Sequence, residues 1–259
     1  MIEVHNLTFG YSATEDGQIL KGVDFAAKTG KLTALIGTNG AGKSTLLKTI
    51  MGILKGKGEI SVNGKSVSQY STKDFSSTVS YLSQDNDCKV NLSVFEVVML
   101  GRMGSMSFRV SDEDIAATQE VLERLNLQRF ASRSIMELSG GQRQLVFMAQ
   151  ALVKEPKILI LDEPTSALDL HKQFDLLTLL KNLTQENDFT TLVTLHHLDL
   201  AAMFADEIIV LKEGRVYAQG APKDIFTEAM MEDVYRVKTK IYIDDNGLPH
   251  VIPLEAITN

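Results

Sequence analysis

The residues best suited to chemistry form a glycine-rich stretch at positions 37–44, with the sequence GTNGAGKS. It matches G-x-x-x-x-G-K-[ST], in which glycines let the backbone wrap phosphate groups and the lysine adds a mobile positive charge. A merely permissive strand-to-helix turn would explain neither Lys43 nor Ser44. The pattern therefore predicts a phosphate-binding loop, with the Ser44 hydroxyl as a ligand for Mg²⁺.

A second candidate cluster is acidic and follows the apolar run at residues 158–161. Asp162 ends this predicted buried strand, and an aspartate at such a place holds Mg²⁺ in phosphate-loop enzymes. Glu163, the next residue, is placed to orient or deprotonate an attacking water. An isolated Asp-Glu pair before a proline is often a solvated turn, but the phosphate loop favours the catalytic interpretation.

Residues 138–142 have the sequence LSGGQ and form a third candidate cluster. Serine and glycine at the start of a helix leave backbone amides free to meet an anion. The same residue types also form ordinary helix N-caps. The pattern alone leaves both interpretations open.

Alternating strands and helices must position these clusters. Apolar runs predict buried strands at residues 32–36, 158–161 and 191–195, and helical spacing follows at 44–51, 142–153 and 169–183. This alternation predicts an α/β core with a mostly parallel sheet. Ligands of such sheets lie beyond the carboxyl ends of the strands, which is where the phosphate loop, Asp162-Glu163 and His196-His197 fall.

Other segments flank or interrupt that core. Alternating patterns at residues 2–9 and 22–27 predict antiparallel strands, and helical spacing at 94–101 and 112–125 predicts an inserted helical subdomain. Residues 241–247 predict a hairpin, with Asn-Gly as its turn signal.

Composition excludes several classes of protein. The hydrophobic fraction of 44% and the charged fraction of 23% are those of an ordinary globular protein. A net charge of −7 opposes a general nucleic-acid binder, so no nucleic-acid partner is expected. No run approaches the roughly 20 apolar residues of a membrane span, so any membrane role is expected to be peripheral. The single cysteine, Cys88, fits a reducing compartment.

Together the motifs resemble those of the ATP-binding cassette family, in family order along essentially the whole chain. They are an aromatic residue, Walker A, the Q-loop, the LSGGQ signature, Walker B (ILILD), the D-loop at residues 166–169, and the switch histidine. The resemblance assigns nucleotide contact to Tyr11, Gly37, Thr38, Asn39, Gly40, Ala41, Gly42, Lys43, Ser44, Thr45, Ser139, Gly140, Gly141, Gln142 and Asp169.

The resemblance also implies roles for individual residues. Tyr11 would stack on adenine, His196 would contact the γ-phosphate, and Gln84 would sense Mg²⁺ and water while touching a membrane partner. Glu163, His196 and Gln84 form the implied catalytic set. The implied metal ligands are Ser44, Gln84 and Asp162. Taken singly, Tyr11, Gln84 and His196 would be an ordinary hairpin aromatic, surface amide and strand end.

The implied fold is a P-loop NTPase (RecA-like) α/β core with an N-terminal antiparallel β-subdomain and an inserted α-helical signature subdomain. The expected boundaries are 1–85 and 143–214 for the core, 86–142 for the helical subdomain and 215–259 for a C-terminal extension. Two chains are expected to sandwich two ATP head to tail, each signature completing the site of the other chain.

Three positions depart from the usual family pattern without removing a named catalytic group: Thr38, Gln150 and His197. We expect them to have only modest effects on nucleotide handling. For His197, an ordinary surface or cap residue is the simpler interpretation.

Missing features and one resemblance together narrow the type of cassette. One cassette argues against a translation factor, and the interval between residues 44 and 138 is too short for a repair-type coiled coil. The segment around residues 93–102 most resembles the ATPases of importers of iron chelates, haem and cobalamin. Among these cargoes, an iron-siderophore is expected first. The expected setting is the cytoplasmic face of the cell membrane, bound to a permease and indirectly served by a substrate-binding protein. Alternatives are a molybdate importer, an exporter component, or a soluble nucleic-acid- or ribosome-linked ATPase.

Overall fold

The computed structural model describes residues 1–12, 17–84, 91–102 and 110–258. Strands and helices alternate along most of these residues. Cys88 lies outside these ranges, as do residues 85–87, 89–90 and 103–109. None of the helices in the described ranges has the length and apolar character needed to span a membrane.

The strands are β1 (Ile2–Gly10), β2 (Gln18–Ala27), β3 (Lys31–Ile36), β4 (Lys57–Val62), β5 (Lys65–Ser66), β6 (Val79–Leu82), β7 (Ile158–Leu161), β8 (Thr190–Thr194), β9 (Glu207–Lys212), β10 (Arg215–Gly220), β11 (Val237–Ile243) and β12 (Pro249–Ala256). The helices are α1 (Lys43–Ile50), α2 (Thr72–Thr78), α3 (Val94–Met99), α4 (Asp112–Arg124), α5 (Gly140–Leu152), α6 (Leu170–Glu186), α7 (Leu198–Phe204), α8 (Pro222–Ile225) and α9 (Glu228–Met230).

These elements fall into two compact units, Met1–Gln69 with Leu180–Asn259, and Tyr70–Leu179. The first unit contains an antiparallel sheet in the order β2-β1-β4-β5. The predicted alternation holds at Ile2 and Val4, which are buried, and an irregularity in register between Val4 and Leu7 makes Leu7 the next buried residue. The antiparallel pairing of β1 with β2 confirms the prediction for the N-terminal segment.

The first unit also holds the parallel strands that carry the phosphate loop. Strand β3 lies between β8 and β9 and is parallel to both. Every residue of β3 after Lys31 is buried, as expected for a strand covered on both faces. Strand β10 returns antiparallel to β9.

The second unit pairs β6 with β7 in parallel, and α3, α4 and α5 lie between these strands in the sequence. Helix α5 packs through its apolar stripe, in which Val146, Met148 and Ala149 are fully buried. The α/β class predicted from the sequence is confirmed. The finer boundaries at residues 85, 142 and 214 stay predictions.

The predicted C-terminal hairpin is present as β11 and β12. Asn246 and Gly247 lie in its turn, but the loop has five residues rather than the two of a tight Asn-Gly turn. The Asp244 carboxylate accepts hydrogen bonds from the backbone N–H groups of Asn246 (2.9 Å) and Leu248 (2.8 Å). An Asx-type interaction therefore sets the loop length.

Candidate nucleotide site

The phosphate loop occupies the turn between β3 and α1, and its glycines are required by geometry. Gly37 has a φ of +148°, and a Cβ there would lie 2.2 Å from the Leu211 carbonyl oxygen. Gly42 has a φ of +103° and immediately precedes α1. A side chain at either position would force the loop to move, so this path needs glycine.

Lys43 is buried, with 7% of its surface exposed. Its ammonium donates to the carbonyl oxygens of Gly37 (2.8 Å) and Thr38 (3.0 Å), so the charge is held against the loop itself. Ser44 and Thr45 follow in the first turn of α1 and are half-buried.

The donors of this loop fit a triphosphate. Helix α1 begins without a side chain capping its first turn, so backbone N–H groups of that turn remain for an anion. At Gly40, an added Cβ would meet nothing within 4 Å, so the loop borders open space. The loop and the start of α1 therefore offer main-chain N–H groups, one ammonium and one hydroxyl, which are the donors that a phosphate site needs.

His196 lies beside the phosphate loop because of strand register. Strand β3 pairs with β8 so that Leu35 is opposite Thr194. Gly37 and His196 each come two residues later, at the carboxyl ends of adjacent parallel strands, which are about 4.8 Å apart. The His196 side chain is exposed, and His197 is the N-cap residue of α7 without a capping side-chain hydrogen bond.

The same register relation occurs in the second unit. Strand β6 pairs with β7 so that Leu82 is opposite Leu161, and Gln84 and Glu163 each follow two residues later. The Gln84 Nε2 group donates to Glu163 Oε2 at 2.8 Å. The structure thus brings together two of the three residues predicted to be catalytic.

The acidic strand end combines a buried carboxylate with an unusual backbone. Asp162 is 1% exposed, and its N–H continues the sheet by donating to the Leu82 carbonyl at 2.8 Å. Glu163 is half-buried and has a φ of +52°, in the left-handed region that side chains rarely adopt. Such strain is kept where surrounding structure enforces it and is concentrated at functional sites.

The signature residues begin helix α5. Ser139 is its N-cap, and the structure shows a complete capping box: Gln142 N–H donates to Ser139 Oγ (3.3 Å) and Ser139 N–H donates to Gln142 Oε1 (2.9 Å). Gly140 is exposed, and a Cβ there would meet nothing within 4 Å. Both interpretations of LSGGQ therefore remain compatible, since the cap holds the helix start and leaves Gly140 accessible.

The D-loop ends at Asp169, which caps helix α6. Its carboxylate accepts from the Lys172 N–H (3.0 Å) and pairs with the Lys172 ammonium (2.9 Å). These hydrogen bonds lower the pKa of Asp169, the backbone one most. Asp169 remains exposed.

Tyr11 is exposed at 71% and stands beyond the end of β1. Its ring contacts Phe9 edge-on, with centroids 5.0 Å apart. An aromatic face thus remains open for stacking.

Comparison with known proteins identifies the arrangement. Residues 20–166, more than half of the chain, match the family model of the ABC transporter. The chain belongs to the ABC transporter family. The resemblance inferred from the motifs is confirmed, and the protein is an ATPase of the cassette type with a P-loop NTPase fold.

Relatives of this ABC ATPase match it over nearly their whole lengths. The iron(3+)-hydroxamate import ATP-binding protein of Bacillus subtilis is 37% identical, covering 94% of this chain and 90% of that protein. The ferric enterobactin transport ATP-binding protein of Escherichia coli is 36% identical, covering 96% and 92%.

Solved structures show the same fold. A transporter of the metal-chelate type in an inward-facing conformation has a TM-score of 0.82 and 29% identity, covering 98% of this chain and 97% of that chain. A dimeric bacterial ABC transporter cassette has a TM-score of 0.77 and 30% identity, covering 85% and 98%.

Tyr235 of this ABC ATPase lies beside the phosphate loop, although no sequence motif predicts it there. Burial raises the pKa of Tyr235, while the backbone N–H of Gly37 donates to its hydroxyl. A tyrosine in a C-terminal helical turn carries no sequence signal for such a contact. The C-terminal extension therefore reaches the first glycine of the phosphate loop.

Proposed function

We propose that this ABC ATPase powers the import of an iron chelate through a separate membrane permease. The observation that carries the proposal is the identity of 36–37% to two iron-chelate transport ATP-binding proteins over at least 90% of each chain. A petrobactin import protein of Bacillus anthracis, 33% identical over 97% of this chain, adds to this support. An iron-siderophore is our first candidate cargo, followed by haem and cobalamin.

Within the site, we assign the residues complementary roles. The phosphate loop and Lys43 bind the triphosphate, Tyr11 stacks on adenine, and Glu163 orients the attacking water with Gln84 bonded to it. Ser44, Gln84 and Asp162 are the candidate ligands for Mg²⁺, which would neutralise charge on the phosphates. His196, one strand from the loop, contacts the terminal phosphate.

The signature and the D-loop serve a second copy of the chain. Ser139, Gly140, Gly141, Gln142 and Asp169 belong to a different compact unit from the phosphate loop. A related cassette has been solved as a dimer. In the proposed cycle, two copies close over two ATP, closure moves the permease, and hydrolysis reopens the pair.

A groove in the second unit supports a permease partner. Its volume is about 420 Å³, and α2, β6, α5 and residues 100–102 line it. Leu100 is 47% exposed at its edge, and Lys154 donates to the backbone carbonyls of Ser76 and Val79 within it. We propose that this groove receives a short helix of the permease, which would place the protein on the cytoplasmic face of the membrane.

Reconstitution tests the proposal. The protein is combined in proteoliposomes with the permease that co-purifies with it and with a ferric-siderophore-binding protein, and uptake of ⁵⁵Fe-labelled siderophores, haem and cobalamin is measured. We expect ATP-dependent uptake of a ferric siderophore by the wild type and no uptake with Glu163→Gln. Uptake should be retained with Glu123→Gln, a matched change at an exposed position of α4.

Two results would contradict the proposal. One is ATP-dependent uptake of molybdate or export of a solute, with no uptake of any chelate. The other is failure to associate with any permease, together with an ATPase activity stimulated by ribosomes or nucleic acid.

A further inference from the structure

Gln173 is a buried amide that holds the D-loop. It lies in the first turn of α6 with 8% of its surface exposed. Its Nε2 donates to the backbone carbonyl oxygens of Thr165 (3.1 Å) and Leu168 (3.0 Å). Both partners are acceptors only, so the amide nitrogen, with its two N–H groups, fits this place.

The segment held by Gln173 is a closed turn that begins at Glu163. The N–H and the hydroxyl of Ser166 both donate to the Glu163 carbonyl, at 3.3 and 3.1 Å. The Leu168 N–H donates to the Thr165 carbonyl at 3.1 Å. Glu163, which has a left-handed backbone, therefore begins a turn whose later residues are held by hydrogen bonds from Gln173.

The same turn touches the start of the signature helix. A Cβ added at Gly141 would lie 2.8 Å from the carbonyl oxygen of Ala167, so the two backbones are in close contact. A displacement of the D-loop would therefore reach Gly141 as well as Glu163. The buried amide of Gln173 therefore fixes the D-loop backbone, which is continuous with Glu163 and in contact with Gly141.

We propose that Gln173 is a positioning residue for ATP hydrolysis. Its side-chain amide donates to Thr165 and Leu168, neither of which is assigned to the nucleotide or to the attacking water. Only its backbone N–H meets an assigned residue, by donating to the Asp169 carbonyl at 2.9 Å in the first turn of α6. Gln173 keeps the D-loop in the conformation that aligns Glu163 with the attacking water. The same conformation fixes the position of Gly141 within the signature. The inference rests on the roles proposed above for Glu163 and the signature.

Two substitutions separate positioning from simple stabilisation. Gln173→Met keeps the length and removes both donors. Gln173→Glu keeps the shape, and its carboxyl can donate one hydrogen bond only when it is protonated. Gln119→Met and Gln119→Glu, on the exposed face of α4, are the matched controls.

The assay measures kcat, the Kd for ATP and the melting temperature for each variant, with kcat taken at a temperature where every variant is folded. For Gln173→Met we expect kcat to fall about tenfold or more, because small misplacements of reacting groups cost that much. The Kd for ATP should change less than twofold, since the phosphate loop is untouched. The controls should match the wild type.

The Gln173→Glu variant supplies a pH signature. A carboxyl facing two carbonyl oxygens in a buried place has a raised pKa, so the protonated, donating form returns as the pH falls. We expect its kcat relative to the wild type to rise from pH 8 to pH 6. This readout remains available if Gln173→Met fails to fold.

The inference is overturned if folded Gln173→Met turns over ATP like the wild type, or if its loss lies in the Kd for ATP. A kcat ratio for Gln173→Glu that does not change with pH would also overturn it. Glu163→Gln, assayed in parallel, distinguishes failure of the inference about Gln173 from failure of the proposed site. If that variant keeps wild-type turnover, the proposed site itself is wrong; if it is inactive while Gln173→Met is normal, only the inference fails.

Discussion

Gly140→Ala and Gly141→Ala offer a matched pair in which neighbouring, chemically identical changes should have opposite effects on stability. Neither glycine has a positive φ, so alanine fits the backbone at both positions. At Gly140 a methyl group meets nothing within 4 Å. At Gly141 it would lie 2.8 Å from the Ala167 carbonyl oxygen and 3.2 Å from Leu168 Cδ2.

The magnitudes follow from two opposing terms. Gly-to-Ala in a helix stabilises by about 0.5–1 kcal/mol, because it restricts the unfolded chain. Overpacking against backbone costs about 1–3 kcal/mol. Gly140→Ala should therefore raise the stability of the isolated subunit by about 0.5–1 kcal/mol, and Gly141→Ala should lower it by up to about 2.5 kcal/mol.

Thermal denaturation of the nucleotide-free subunit measures the effect, at about 2–4 °C per kcal/mol for a chain of this size. ATPase activity should move differently, because the exposed Gly140 is assigned to the nucleotide of the second copy. We expect Gly140→Ala to be more stable and less active than the wild type. Equal melting temperatures for the two variants, or a less stable Gly140→Ala, would refute the packing argument.

Three further predictions concern the loop, a surface carboxylate and the signature cap. Lys43→Ala should weaken ATP binding at least tenfold by titration calorimetry, since the loop loses its only ammonium; unchanged affinity would contradict its role. Asp114→Asn should lower the melting temperature at pH 7: hydrogen bonds from Arg102 and then Ser111 lower the pKa of Asp114 to about 2, so its contribution is present above pH 4 and disappears as the pH falls through about 2. A difference from the wild type that is undiminished at pH 2, or an equal loss in the exposed control Asp112→Asn, would contradict this assignment. Ser139→Ala should cost about 1 kcal/mol of stability by removing the cap, measured by denaturant unfolding, and an unchanged midpoint would show that the capping box is unimportant.

The candidate site could be located from the sequence where side-chain type and spacing are decisive. Lys43, Ser44, Asp162 and Glu163 follow apolar strands, and strand ends in an α/β fold are easy to locate from such runs. The contact between Gln84 and Glu163 follows from the parallel register of their strands. That register could not be read before the pairing of β6 with β7 was known.

Other features depend on backbone geometry that residue types do not specify. Gln173 is one polar residue among many on an amphipathic helix, and only the D-loop turn brings two carbonyls to it. The left-handed φ of Glu163 is imposed by that turn rather than by a glycine. The five-residue loop at Asp244 shows the same limit, since Asn-Gly predicted a turn but not its length.

We propose that two copies of this chain close over ATP before they hydrolyse it. Sedimentation velocity of Glu163→Gln with and without Mg-ATP tests it most directly, because this change should preserve binding and block hydrolysis. We expect a monomer without nucleotide and a stable dimer with Mg-ATP, and no dimer when Lys43→Ala is added. A variant that binds Mg-ATP and remains a monomer at every concentration would contradict it.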